Sequence, residues 1–172
     1  MGLEHQDNVT YIPSHPHLFR VHFAPGFHSS SLKATRDFVA GEEICRLEGV
    51  TNAENAWDTI QYGKNQHIRL NSDLVYVNHS CDPNIAFDLS SANREDWYSR
   101  ALKTISKGDA LSFFYPSTEW EMDQPFECWC GSGACLGQIK GAAFLPREEL
   151  ETRGYVSPHI RTLAEERGIW PS

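Results

Sequence analysis

The chain contains no run of about 18 apolar residues, the length a membrane-crossing helix needs. It also lacks a surplus of basic residues: 15 Lys and Arg stand against 23 Asp and Glu, a formal net charge of -8. The first absence excludes a transmembrane helix. The second argues against direct nucleic-acid binding, which needs Lys and Arg to neutralise phosphates. An acidic chain is the better match for a cationic partner, such as a basic peptide or a protonated amine. Internal repeats and low-complexity tracts are also missing, so neither a solenoid nor a long flexible linker is expected. The opening MGLEHQDNVTYIPSHPH has no basic stretch followed by an apolar one, and an intracellular protein is the expectation. What is present is 172 residues, 40% of them hydrophobic, enough for one domain with a real core.

The pattern along the chain is one of many short strands. His17 to Phe23 alternates like an edge strand, and Ala24-Pro25-Gly26 is a turn. Residues 31–39 alternate weakly and are followed by Ala40-Gly41 and then Glu43 to Leu47, which predicts two strands joined by a tight connection. Further strands are predicted at Gln66–Leu70, Leu74–Val77, Ile85–Leu89, Trp97–Ala101 and Ala110–Tyr115. The stretch between Gly49 and Leu70 leaves little room for a substrate-selecting insert. The tail reads as helical: Pro146 opens one short helix, and Ser157-Pro158 gives an N-cap and N1 pair for a second, ended near Gly168. The fold class is α+β, mostly β. The histidines at 15, 17, 22 and 28 are irregularly spaced and read as surface or core residues.

The five cysteines are unevenly spread. An odd number without a secretory leader disfavours a disulfide framework and favours metal ligation. Cys128, Cys130 and Cys135 sit within one glycine-rich loop and supply three thiolates. Tetrahedral zinc needs four N or S ligands. Cys81 is the best candidate for the fourth, with Cys45 or a histidine as alternatives; Cys45 lies in an apolar strand, where a free thiol behaves as a small hydrophobe. A metal closed by Cys81 would staple the C-terminal segment onto the NHSC turn.

Four motifs resemble those of the SET-domain family. Asn78-His79-Ser80-Cys81-Asp82-Pro83-Asn84 is similar to its NHSCxPN motif. Gly108 to Tyr115 looks like the strand that ends in the family's catalytic tyrosine. Cys128-Trp129-Cys130-Gly131 with Cys135-Leu136-Gly137 is similar to the post-SET zinc segment, and Ser31 to Asp37 with Gly41 to Ile44 to the opening block. The resemblance runs from about residue 29 to 140. It divides the chain into an N-terminal extension (1–28), a SET domain (29–119), a post-SET zinc segment (120–141) and a helical tail (142–172).

That resemblance implies small β-sheets with a pseudoknot, zinc on Cys81, Cys128, Cys130 and Cys135, and S-adenosylmethionine as methyl donor. It implies Tyr115 at the transfer centre and Ser31, Lys33, Asn78, His79 and Trp129 as cofactor contacts. The acceptor it implies is a protein or peptide lysine; a small amine or metabolite is the alternative, and a silent zinc-containing binding module a further one. The chemistry is coherent. An amine must be neutral to attack a methyl group, and both a dry channel and a sulfonium charge lower the pKa of a lysine. Near-linear alignment supplies the orientation component of the rate. Ser29 and Ser31 stand where the family carries a Gly-x-Gly pair, placing a Cβ where glycine would allow positive φ.

Overall fold

The computed structural model describes residues 10–26 and 28–170. In chain order the first strands are β1 (Phe19–His22), β2 (Ser31–Ala34), β3 (Glu43–Arg46), β4 (Thr51–Ala53), β5 (Thr59–Gly63) and β6 (Gln66–Arg69). They are followed by β7 (Asn78–His79), β8 (Ile85–Asp88), β9 (Tyr98–Ala101), β10 (Ser112–Phe113), β11 (Phe126–Glu127) and β12 (Gln138–Ile139). Two helices, α1 (Arg147–Glu151) and α2 (Pro158–Glu166), close the chain. The mostly β architecture matches the sequence reading.

The strands form small separate sheets, β1-β2, β3-β9-β8, β4-β6-β5, β10-β7 and β11-β12. The predicted connection of residues 31–39 to 43–47 is therefore not a hairpin. β2 pairs backwards with β1, while β3 crosses to β9 with Cys45 opposite Ser99. Alternation along β2 explains its placing: Leu32 and Ala34 are buried, and Ser31 and Lys33 face outward.

The segment 74–77, predicted as a strand, is a 3-10 turn over Asp73–Tyr76. Local hydrogen bonds override its β-branched composition here. Ser72 Oγ accepts from the Leu74 amide, while Asp73 Oδ2 accepts from the Tyr11 hydroxyl at 2.6 Å and the Ser14 amide at 3.0 Å. Side chains that satisfy backbone groups locally compete with sheet ladders. The segment read as having little room for an insert, 49–70, builds the whole β4-β6-β5 sheet.

Two hydrophobic clusters share β10 as their partition. Phe113 belongs to the first, with Phe19, Leu32, Ile68 and Phe87. Phe114 belongs to the second, with Trp120, Ile139, Leu150 and Ile160. Successive residues of an extended chain point to opposite sides, so Tyr115 returns to the first cluster. Burying two adjacent phenylalanines in different cores fixes where the tyrosine emerges. Helix α2 docks Ile160, Leu163 and Ala164 on the second cluster. It ends as expected at Gly168, whose φ of +64° lets the Ile169 amide reach the Ala164 carbonyl at 3.0 Å, a left-handed helix stop.

Candidate active site

The NHSC segment and the tyrosine strand meet as a parallel pair, with Asn78 opposite Ser112 and His79 opposite Phe113. Asn84 extends that ladder with its side chain, donating through Nδ2 to the Ala110 carbonyl and accepting at Oδ1 from the Ser112 amide, both at 2.8 Å. Asn78 Nδ2 donates to the Ser30 carbonyl at 2.8 Å and so ties the opening block to the same spot.

His79 links the tyrosine to the cysteines. Its Nδ1 accepts from the Tyr115 amide at 3.2 Å, which puts the proton on Nε2, 3.3 Å from Cys81 Sγ. Burial, helped by the positive Arg153, pulls the His79 pKa down to about 4. The ring is therefore neutral at physiological pH. The Tyr115 hydroxyl donates to the Val77 carbonyl at 3.3 Å, and burial raises its pKa well above the ordinary value. Its ring packs edge-on to His79 and Phe126 and tilted against Phe113.

The four predicted metal ligands come together. The sulfurs of Cys81, Cys128, Cys130 and Cys135 all lie within 4.8 Å of one another, and Cys81 and Cys128 are 3.9 Å apart. Tetrahedral thiolate bonds of about 2.3 Å to zinc separate sulfurs by roughly 3.8 Å, so the set fits that ion. Cys45 is elsewhere, in contact with Ser99 Oγ. None of the cysteines forms a disulfide. Burial opposes ionisation of Cys130, but hydrogen bonds from the Cys81 and Ser132 backbones and from neighbouring thiols outweigh it and draw its pKa to about 6. Burial pushes the Cys81 and Cys128 thiols up instead, so a metal bound here would have to displace their protons. The tail braces this loop: buried Arg153 donates to the Ala134 carbonyl at 3.0 Å and stacks over Phe114 at 4.8 Å.

A cavity of about 540 Å³ opens beside these groups and is walled by Asn78, His79, Tyr115 and Trp129 together. Its volume suits a cofactor-sized ligand. Four carboxylates, Asp58, Glu119, Asp123 and Glu127, also line it, and no Lys or Arg among the described residues does. Such a wall is compatible with a positively charged sulfonium.

Ser31 and Lys33 do not join this cavity; they lie on the outward face of β2. From the same stretch His28 is a wall residue, while Ser30 reaches the site only through its carbonyl, bonded to Asn78. Among the described non-glycine residues only His28 and Asn71 have positive φ, so the serines at 29 and 31 need no glycine conformation. Trp129 remains 89% exposed at the rim. Sequence reasoning missed Trp57, whose ring meets His28 edge-on at 4.6 Å in the same wall, and Glu119. The Thr-Glu-Trp run after Tyr115 carries no motif; its role depends on contacts with Gln61 of β5, which sequence does not reveal.

Comparisons with known proteins agree with this geometry. A SET-domain profile matches residues 32–116. Methyltransferase flvH of Aspergillus flavus is 38% identical over 152 residues, covering 88% of this chain and 83% of flvH. Histone-lysine N-methyltransferase mes-4 of Caenorhabditis elegans is 31% identical over 120 residues, 63% of this chain but only 12% of mes-4. The methyltransferase domain of human histone-lysine N-methyltransferase SETMAR superposes with a TM-score of 0.52 at 15% identity, over 72% of this chain and 58% of that one, a likeness of fold alone. These findings define the class, a methyltransferase that uses S-adenosylmethionine. The chain belongs to the SET-domain family.

Proposed function

We propose that the protein methylates a primary amine on a flexible alkyl chain, with the side chain of a protein or peptide lysine as the leading acceptor. The observation that carries this reading is the wall of the cavity, which combines Tyr115 with four carboxylates and no Lys or Arg among the described residues; Asp58 is paired with Arg69 behind the wall, which leaves Glu119, Asp123 and Glu127. A cationic chain is the ligand such a wall favours. S-adenosylmethionine, when bound, supplies a methyl group on a positively charged sulfur. Asn78, His79 and Trp129 line the side of the cavity where they would hold it. Tyr115, kept neutral by burial, offers its hydroxyl oxygen to orient the amine. The apolar walls, Ile60, Leu74 and Phe126 among them, keep water from the reacting groups. Cys81, Cys128, Cys130 and Cys135 hold zinc, which fixes the loop bearing Trp129 over the cavity.

Histone-lysine N-methyltransferase mes-4 among the similar proteins supports the peptide reading. One observation favours a second reading, a small-molecule amine. This chain covers 83% of flvH, a methyltransferase not named for a protein substrate, but only 12% of mes-4. The experiment that tests both is mass spectrometry of S-adenosylmethionine-dependent products against peptide and metabolite libraries. Methylated lysine peptides support the first reading and methylated free amines the second. Absence of any methylated amine in either library overturns both.

A further inference from the structure

Glu119 is 6% exposed, yet its side chain lies in the cavity wall four residues beyond Tyr115. One oxygen is committed: Oε1 accepts from the Gln61 amide at 2.8 Å and from the Thr118 hydroxyl at 3.3 Å. The other, Oε2, has His67 Nε2 of β6 at 3.9 Å, beyond hydrogen-bond length. Burial lowers the His67 pKa. His159 of α2 is drawn by burial to about 4, with His67 close enough to add to the shift. Tyr115 is held neutral as well. The titratable groups around this carboxylate are thus uncharged near neutral pH, and no Lys or Arg among the described residues lines the cavity. A purely structural role would be met by glutamine, whose amide oxygen accepts the same two bonds. A carboxylate here has an oxygen suited to a cation that the protein itself does not supply.

We propose that Glu119 receives the substrate amine: its carboxylate pairs with the incoming ammonium and takes one proton from it, leaving a neutral amine beside Tyr115. One N–H bond breaks, one O–H bond forms, and the opposite charges cancel; nothing is oxidised or reduced. This rests on the amine reading above and adds the group that prepares the nucleophile. Burial raises the Glu119 pKa to about 7, near the working pH, where an acid–base group is most effective.

The test compares wild type with Glu119→Gln, and with Glu119→Asp as a variant that keeps the charge. Methyl transfer is followed from pH 6 to 10.5. Wild-type kcat/KM should rise to a plateau above neutral pH. In Glu119→Gln it should instead climb with unit slope towards pH 10, because only free amine already neutral in solution can react. With a lysine-type pKa of about 10.4, that is a loss of roughly a thousandfold near pH 7.4, recovered at high pH. Glu119→Asp should restore part of the plateau. A Glu119→Gln profile parallel to wild type, or activity within threefold at pH 7.4, overturns the proposal. A second readout does not depend on turnover: calorimetric binding of n-butylamine and n-butanol at pH 7.4 to protein saturated with S-adenosylhomocysteine. Butylamine should bind at least tenfold more weakly to Glu119→Gln, with butanol unchanged. Equal butylamine binding by both proteins, or none by wild type, also overturns it. If butylamine binds through Glu119 while no amine is ever methylated, the proposed function fails and the binding role of Glu119 stands. Unchanged S-adenosylhomocysteine affinity in Glu119→Gln shows that the variant is folded.

Discussion

Tyr115 is held by two opposite constraints, a ring clamped by aromatic neighbours and a hydroxyl tethered to the Val77 carbonyl. Removing only the oxygen keeps the clamp and loses the tether. Tyr115→Phe should therefore lower kcat by about a hundred- to a thousandfold, the usual effect of deleting one positioned polar group at a reacting centre. Its S-adenosylhomocysteine affinity should stay within about threefold by calorimetry, since the ring still packs on His79. A loss of affinity matching the loss of kcat would show that the hydroxyl supports the cofactor cavity and not the transfer. The place of Tyr115 in the cavity wall was legible because it follows the GDALSFF strand. The neutral state of His79 was not, because it depends on burial and on Arg153 brought in from the distant tail.

At the level of elements, the cysteine segment and the tail act as one brace. Chemistry-bearing spacing made the three-thiolate loop readable, and the NHSC turn supplied its fourth sulfur. Cys81→Ser should reduce zinc affinity by more than about a hundredfold, a larger loss than outer-sphere changes give. Metal content after competition with a chelator measures it, and faster amide exchange over residues 126–139 should accompany the loss. Undiminished zinc would return the fourth position to another ligand. The brace continues where residues 140–143 run beside 119–122, with the Met122 amide bonded to the Lys140 carbonyl and the Ala142 amide to that of Glu119, both at 2.8 Å. Gly141 lies at the closest approach, with φ of +120° and space so tight that a Cβ would fall 2.4 Å from the Trp120 carbonyl oxygen. Gly141→Ala should cost about 3 kcal/mol in urea unfolding, through both strain and backbone displacement. This crossing was not visible in sequence, and of the β4-β6-β5 sheet only β6 was, predicted at Gln66–Leu70. The crossing joins segments distant in sequence, and β4 and β5 lack alternating burial; hydrophobic period is the signal on which strand prediction depends.

Among the buried titrations of the whole molecule, two of opposite sign fall on groups joined through Thr118. Burial lowers His159 from 6.5 to about 4, while its Nε2 donates to the Thr118 carbonyl at 2.7 Å. A depressed basic group adds stability that is complete above the unfolded pKa and is lost as pH falls from 6.5 towards 4. Burial raises Glu119 from 4.5 to about 7. A raised acid adds stability that is complete below 4.5 and is lost as pH climbs towards 7. Each slope is on the order of 1.4 kcal/mol per pH unit where one state is protonated and the other is not. Between pH 4.5 and 6.5 the two contributions oppose one another, and their sum is nearly flat. Glu119→Gln removes the falling one and exposes the rising one. Relative to wild type, the variant should therefore gain about 3 kcal/mol between pH 4.5 and 7. Urea unfolding of both proteins at pH 4.5, 5.5, 6.5 and 7.5, at one fixed zinc concentration, checks this, because the difference between them cancels titrations they share, the cysteine cluster included. A difference that stays constant with pH would mean that Glu119 is ionised throughout and meets a cation within the fold. A widening one leaves its charge free for a ligand, at the same pH where the cavity would have to accept an amine.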